Sequence, residues 1–310
     1  MKVNLLSILF SVFLFFSCSS NSQSISEEAI ADEEIEQPGV VDTDSLEQTS
    51  PPTLNTSEFE RTESFTRLKQ KIENKDTLFI HVMIPLCDNK NQGIVPVPSH
   101  LGDGMDPNSN LYWGAMYGFK SYFKRSDWNL IHSEKKVNND ILERVIFVKK
   151  LPESSAVIII ADAYRGDRMK ELLVDYLDAI AGKKKEEYRA LNSRFSIYSN
   201  ADLTLFNGHN GLMDYKIDRI STNDLIIRET AVIGCISYEY FRPHLLAGYG
   251  YPILTTSNLM APEAYVAEGL INAWIELKSE TEIRTTVGQA YNKYQKCGIS
   301  GATNLFYSGW

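Results

Sequence analysis

The chain has 310 residues, of which 43% are hydrophobic and 23% charged, and its formal net charge is −9. Between residues 19 and 60 there are eleven Asp or Glu and no Lys or Arg, and Lys2 adds +1, so residues 61–310 carry only +1. A nearly neutral domain without a basic stripe gives no electrostatic reason to expect a nucleic-acid partner.

The N-terminus predicts export. Lys2 precedes an apolar run over residues 5–16, and Ser17 stands before Cys18. This is the arrangement of a secretory signal, predicted here over residues 1–17, and the run is too short to span a bilayer as a helix. The single Cys at the cleavage point resembles a bacterial lipoprotein signal. That resemblance implies that Cys18 is lipidated and holds the chain on a membrane of the cell envelope, on its exported side; the alternative is an ordinary cleaved signal.

The composition of residues 18–60 predicts a tether between the N-terminus and the folded domain. The stretch is acidic, rich in Ser, Thr and Gln, and contains Pro38, Pro51 and Pro52. Such a composition buries too little apolar surface to offset its chain entropy, so we expect an acidic, disordered linker. The remaining residues, 61–310, are enough for one large domain, and no internal repeat or second linker divides them.

Within residues 61–310, short apolar runs typical of strands alternate with segments whose apolar residues recur at helical spacing. Strands are predicted at residues 77–84, 145–149, 156–161, 203–208, 230–234 and 251–255. Helices are predicted at residues 110–124, 167–181, 238–246 and 261–278. This alternation predicts a three-layer α/β fold, with a mostly parallel sheet and helices on both of its faces.

Two of these strands end in reactive side chains. The run from Leu203 is closed by glycine and followed by His209, and the run from Thr230 is closed by glycine and followed by Cys235. Buried parallel strands present their carboxyl ends to a common crevice. The sequence therefore predicts that His209 and Cys235 lie near each other, as a cysteine nucleophile and its general base require.

A strand ending in His-Gly, followed by one ending in Gly-Cys, resembles the caspase, gingipain, clostripain and separase group of cysteine peptidases. In this chain Asn210 stands between His209 and Gly211, and the spacing of 26 residues from His209 to Cys235 is like that of separases. The resemblance implies a caspase-like fold, a peptide or protein substrate, His209 as base and Cys235 as nucleophile. It also implies backbone support for an oxyanion from Gly208, Gly211 and Gly234.

Polar residues follow other strands and reach the same predicted crevice. The candidates for substrate contacts are Asp88, Asn89, Asp162, Arg165 and Ser257. Ligands bind outside the carboxyl ends of parallel strands, although Asp162 and Arg165 could equally form a structural ion pair.

The long segment at residues 92–110 is rich in side-chain oxygens, including those of Asp103 and Asp106. Its spacing does not follow the twelve-residue calcium-loop pattern and it has no closing Glu. We therefore predict neither a metal site nor a cofactor, and expect this loop to pack over the edge of the strands.

Two alternatives remain open. In the first, the chain is a non-catalytic, ligand-binding lipoprotein on the same fold, with Cys235 buried or in a disulfide. In the second, His209, Asp88 and Asp162 act on a phosphate or glycan, although no glycine-rich phosphate loop or Gly-x-Ser-x-Gly elbow supports this. Besides Cys18 the chain has Cys87, Cys235 and Cys297, an odd number in a compartment where disulfides form.

Overall fold

A computed structural model describes residues 60–151, 155–222 and 224–310. The predicted signal peptide, Cys18 and all but the last residue of the predicted tether lie outside these residues. The described helices are α1 (Thr62–Glu73), α2 (Phe119–Phe123), α3 (Met169–Ile180), α4 (Ser237–Gly248), α5 (Ala264–Ile275), α6 (Glu280–Gln295) and α7 (Ile299–Asn304). None of these helices is long and apolar enough to cross a membrane.

Ten strands are described. They are β1 (Leu78–Pro85), β2 (Asn129–Lys135), β3 (Ile141–Lys150), β4 (Ala156–Tyr164), β5 (Lys185–Ala190), β6 (Ser193–Tyr198), β7 (Leu203–Asn207), β8 (Arg228–Ile233), β9 (Gly250–Thr256) and β10 (Phe306–Tyr307). Eight form one sheet in the order β10-β9-β8-β7-β1-β4-β3-β2, and β5 pairs with β6 in a separate hairpin.

The centre of the large sheet is parallel. Strand β1 pairs in parallel with β4 and β7, and parallel pairing continues from β7 to β8 and from β8 to β9. Antiparallel strands flank this centre, β10 on one side and β3 and β2 on the other. The predicted α/β class and mostly parallel sheet are thus confirmed.

Helices cover both faces of the sheet because its strands are apolar on both sides. On one face, alternate residues such as Ile80, Val82 and Ile84 pack with side chains of α1, α2, α5 and α6. On the other, residues such as Met83 and Ile160 pack with α3, α4 and the β5–β6 hairpin. Successive side chains of a strand point to opposite faces, so each central strand serves two cores.

The predicted helix over residues 110–124 is wrong except for its last part, α2 (Phe119–Phe123). Asn110 does not cap a helix. Its amide group bonds to the backbone N–H and C=O of Cys87 at 2.9 and 2.8 Å, and it also accepts from the N–H of Tyr112 at 3.1 Å. Asn side chains compete for backbone groups in this way, so the chain forms a series of turns pinned to the end of β1.

Elements with weaker sequence signals were not predicted: α1, β2, the β5–β6 hairpin, α6, α7 and β10. Helix α6 begins at a capping box in which Ser279 and Glu282 satisfy each other's backbone N–H groups. Helix α1 is fixed by Arg61, whose guanidinium pairs with the buried Glu229 of β8 at 2.7 Å.

Candidate active site

His209 and Cys235 follow neighbouring strands at one edge of the sheet. Strand β7 ends at Asn207 and β8 at Ile233, and these two residues are partners in the parallel register. Beyond them the Gly208 N–H donates to the Ile233 carbonyl at 3.0 Å. The His209 and Cys235 loops therefore begin side by side at the carboxyl edge of the sheet.

Two glycines permit this close approach. A Cβ atom on Gly208 would lie 2.8 Å from Pro85 Cγ, and one on Gly234 would lie 2.8 Å from the Gly208 carbonyl oxygen. Both distances are shorter than van der Waals contact, so larger residues would separate the strand ends. Gly211 has a related role, since a Cβ there would lie 2.4 Å from Cγ of Met169 on α3.

The imidazole of His209 is paired with a carboxylate. His209 is only 6% exposed, and its Nε2 lies 2.7 Å from Oδ2 of Asp214. The same carboxylate oxygen accepts the Gly93 N–H at 3.0 Å, which ties the long loop to the site. An ionised carboxylate only accepts, so Nε2 carries a proton and Nδ1 is the basic nitrogen. Nδ1 has no hydrogen-bond partner in the described part of the chain.

The thiol of Cys235 is held by the backbone of Met260. Its Sγ lies 3.4 Å from the Met260 N–H nitrogen and 3.5 Å from the Met260 carbonyl oxygen. Burial raises the pKa of the Cys235 thiol above its ordinary value, although the Met260 N–H opposes the shift. In the described ranges no hydrogen bond joins His209 to Cys235: the thiol contacts the Met260 backbone, and the imidazole contacts the Asp214 carboxylate.

Asn210 connects the two loops. Its side-chain Nδ2 donates to the Cys235 carbonyl at 2.7 Å, and its Oδ1 accepts the Leu212 N–H at 3.1 Å. Asn210 is fully buried, so both bonds are protected from water. The residue that interrupts the His-Gly sequence therefore fixes the backbone of His209 relative to that of Cys235.

The turn after Cys235 is strained. Ile236 lies in the left-handed region, with φ 48° and ψ 35°, immediately before α4. A β-branched residue adopts this conformation only at a cost of about 1–3 kcal/mol, and such strain clusters at functional sites. The strained turn sets Cys235 at the junction between β8 and α4, where its own N–H donates to no other described residue.

Behind Cys235 lies a buried phenol and a second thiol. Cys87 is fully buried and hydrogen-bonded to Tyr112, and burial raises the pKa of the Cys87 thiol to about 12. Burial, and then the Cys87 and Cys235 thiols, raise the pKa of Tyr112. The three described cysteines form no disulfide, so Cys235 is a thiol in this structure.

Three of the predicted substrate-contact residues are engaged within the protein. Asp88 accepts from the Lys90 N–H at 2.8 Å, and Asn89 exchanges two hydrogen bonds with the Val97 backbone. Ser257 donates to the Leu305 carbonyl at 3.1 Å. These side chains brace the loops around the sheet edge, and the structure does not bring them to the His209 or Cys235 side chains.

Asp162 and Arg165 are not paired with each other, so the expected ion pair between them is wrong. Asp162 is fully buried and binds Arg144 in bidentate fashion at 2.6 and 2.7 Å. Arg165 pairs instead with Asp167 at 2.7 Å. The reason is register, since Arg144 on β3 lies directly opposite Asp162 on β4. Buried and fully engaged, Asp162 is not available to a ligand.

Comparisons with protein-family models, curated protein sequences and solved structures return no match for this chain. Across the described ranges, no group of three or more His, Cys, Asp or Glu side chains is placed to hold a metal ion.

Sequence reasoning missed Asp214 and Met260. Asp214 stands five residues after His209, beyond the short 3-10 turn Gly211–Met213, which bends the chain back toward the imidazole. A carboxylate close behind a histidine in a glycine-bounded turn was the available signal. No local pattern marks Met260, because its contact with Cys235 depends on how β9 and α5 are connected.

Proposed function

We propose that this chain is a cysteine hydrolase related to the caspase-like peptidases, with Cys235 as nucleophile and His209 as general base. The observation that carries the proposal is the Asp214–His209 pair, which stands one strand away from the Cys235 thiol at the same sheet edge. A nucleophile, a base and a group that orients the base are the three parts of this type of site.

In the proposed reaction, Nδ1 of His209 takes the thiol proton as Cys235 Sγ bonds to the substrate's acyl carbon. The C–N bond then breaks, and His209 returns the proton to the leaving amine. Water attacks the acyl-enzyme and gives a proton to His209, which passes it to the departing sulfur. Asp214 stabilises the imidazolium in both steps.

The raised pKa of Cys235 bears on this mechanism. Because the thiol is protonated at neutral pH, its proton must move to His209 during the attack rather than beforehand. Sγ must also exchange its contacts with Met260 for one with His209 when substrate binds. Catalytic hydrogen bonds are often long in ligand-free enzymes and tighten only in the substrate complex.

The proposal is tested by incubating the full chain with a complex peptide library and identifying new peptide termini by mass spectrometry. We expect termini that disappear with Cys235→Ala and persist with the matched Cys297→Ala control. Cleavage that survives Cys235→Ala, or a library that shows no Cys235-dependent terminus, would contradict a peptidase.

A second candidate is a non-catalytic binding protein on the same fold. It is favoured by the two contacts between Cys235 Sγ and the Met260 backbone, which hold the thiol away from a hydrogen bond with His209. In that case a ligand would occupy the sheet edge without bond cleavage. Replacing Cys235 by Ala would then leave ligand affinity nearly unchanged.

We further propose that the protein is exported and anchored to a membrane of the cell envelope through a lipid on Cys18. The support is the sequence alone: an apolar run, Ser17, Cys18 and an acidic stretch after it. Mass spectrometry of the chain from membranes tests this, because Cys18→Ala should abolish a lipid-sized mass increase on the N-terminal peptide.

A further inference from the structure

Exposed apolar side chains stand next to the partners of both reactive residues. Met213, directly before Asp214, is 38% exposed, and Leu259, directly before Met260, is 47% exposed. A third, Val95, is 63% exposed and belongs to the long loop that is tied to Asp214. These three side chains, called the apolar rim here, come from three different loops at the carboxyl edge of the sheet.

The sheet places the loops of Met213 and Leu259 on opposite sides of the Cys235 loop. Met213 follows β7 and Leu259 follows β9, and β8, which leads to Cys235, lies between these two strands. The Met213 N–H donates to the Asn210 carbonyl at 3.0 Å, and the Asn210 side chain donates to the Cys235 carbonyl at 2.7 Å. On the other side the Met260 backbone, next to Leu259, contacts Cys235 Sγ. A substrate that reaches Cys235 therefore passes between the loops that carry these two apolar side chains.

Four segments that surround the site contain no charged side chain. Residues 91–99, 207–213, 233–238 and 256–262 have no Lys, Arg, Asp or Glu, although 23% of the whole chain is charged. A charged substrate side chain would lose part of its hydration against these segments without gaining an opposite charge from them. An apolar side chain has no such cost, and its contact with the apolar rim removes the apolar surface of both from water.

The charged residues that border these segments are hydrogen-bonded or hydrated. Asp214 is paired with the imidazole at 2.7 Å, and Glu263 accepts Gln295 Nε2 at 3.2 Å. Burial raises the pKa of Glu263, which favours the uncharged form of its carboxyl group. Lys90 and Glu239, which border the other two segments, are exposed to solvent. None of these four is a buried, unpaired charge that would select a charged substrate side chain.

We propose that the site selects polypeptides with a bulky apolar side chain, that of leucine, methionine or phenylalanine, beside the bond to be cut, and that this side chain packs between Met213 and Leu259. The inference rests on the proposed function and names the substrate class of the same site. Exposed apolar residues are common singly, but a group of them around one site is typical of a binding surface. Because a methionine side chain is flexible and adapts to its neighbours, the site accepts apolar groups of different shapes.

The test is calorimetric titration of the full chain carrying Cys235→Ala, which removes the proposed nucleophile and so separates binding from cleavage. Three short acetylated peptide amides are compared, which differ only in a central norleucine, lysine or glutamate. We expect the norleucine peptide to bind at least about tenfold more tightly than the other two, because norleucine has the length of lysine without its charge. Leu259→Glu or Met213→Glu, added to Cys235→Ala, should each weaken norleucine-peptide binding about tenfold.

Ile131→Glu is the matched control, because Ile131 is 42% exposed on β2, the strand at the far edge of the sheet. Added to Cys235→Ala, it should leave the affinity for the norleucine peptide unchanged. Equal binding of the three peptides, no binding at all, or undiminished binding by both Leu259→Glu and Met213→Glu would overturn the proposal. Thermal unfolding of each variant shows that lost binding is not lost folding.

The termini that the chain with an intact Cys235 produces in a peptide library separate this inference from the proposed function. Termini that require Cys235 and lie beside apolar residues support both. Termini that require Cys235 but lie beside charged residues overturn the apolar preference and leave the hydrolase standing. Selective binding of the norleucine peptide without any Cys235-dependent terminus supports the apolar site and contradicts the hydrolase.

Discussion

The molecule contains two histidine–carboxylate pairs that look alike in composition and differ in surroundings. His81 and Asp162 lie in the middle of the sheet, on β1 and β4, with Nε2 3.0 Å from Oδ2. His209 and Asp214 lie at the sheet's carboxyl edge, 2.7 Å apart. The two pairs differ in burial and in whether a ring nitrogen is left without a partner, and this decides whether the histidine can act as a base.

The central pair is fully enclosed. His81 and Asp162 have no exposed side-chain surface, and Arg144 completes the charge balance. His81 Nδ1 accepts the Tyr198 N–H at 3.1 Å, so both ring nitrogens are engaged. Burial lowers the pKa of His81, and the imidazole is neutral. Neither ring nitrogen of His81 is left to form a hydrogen bond with a ligand.

The edge pair leaves one nitrogen unused. Asp214 retains 20% of its side-chain exposure, and His209 Nδ1 has no partner in the described residues. The next loop in the sheet carries Cys235, whereas the ring nitrogens of His81 face Asp162 and the Tyr198 backbone. A histidine whose two ring nitrogens are both hydrogen-bonded within the protein has a structural role. A histidine with one nitrogen held and the other without a partner can act as a base.

The largest expected effect comes from removing the central carboxylate. Asp162→Asn leaves Arg144 as a buried, uncompensated charge, which should lower the free energy of unfolding by about 3–5 kcal/mol. The matched change Asp214→Asn should cost less, about 1 kcal/mol, because the asparagine oxygen can still accept the His209 N–H and no buried charge is left unpaired. Urea unfolding measures both. Similar losses for the two variants would mean that the edge pair is also structural.

The same Asp214→Asn variant should affect reactivity more than stability. An asparagine no longer fixes the proton on Nε2 or stabilises an imidazolium, so alkylation of Cys235 by iodoacetamide should slow by about tenfold at about pH 7. The measurement is the rate of mass increase on the Cys235 peptide. An unchanged rate would remove Asp214 from the proposed mechanism.

The smallest effect concerns pH. Because burial lowers the pKa of His81 in the folded state, only the unfolded chain gains this proton as pH falls below the ordinary value of 6.5. The contribution of neutral His81 to the free energy of unfolding is therefore fully present above that pH. Below it, this contribution declines by up to about 1.4 kcal/mol per pH unit.

Unfolding curves recorded between about pH 7.5 and 5.5 measure this slope. His81→Gln should reduce it, while substitution of the exposed His100 by Gln should leave it unchanged. If the His81→Gln slope equals that of the unmodified chain, the buried pair does not contribute to the pH dependence.

The central strands could be predicted because each contains a continuous apolar run, and two of these runs are closed by glycine. β4, β7 and β8 carry this signal, and parallel pairing then places the residues after β7 and β8 at one edge. Strand β2 and the β5–β6 hairpin could not be predicted in this way. Much of their surface is exposed, and their sequences are rich in charged and polar residues.

Contacts between side chains on neighbouring strands could not be predicted from the sequence either. The pairing of Arg144 with Asp162 depends on the antiparallel register of β3 and β4, and a shift of one residue would turn one of them to the other face. The partners of Cys235 depend on the path from β9 to α5. The position of Asp162 near the end of a strand suggested a ligand contact. The register of β3 and β4 instead places Asp162 in a buried ion pair with Arg144.

The most direct test of the central claim is the alkylation rate of Cys235 in the full chain and in His209→Ala, measured by mass spectrometry across a range of pH. If His209 is the base for Cys235, the unmodified chain should react at least about tenfold faster at about pH 7. Equal rates, or a Cys235 that reacts in neither protein until it is unfolded, would contradict the His209–Cys235 mechanism.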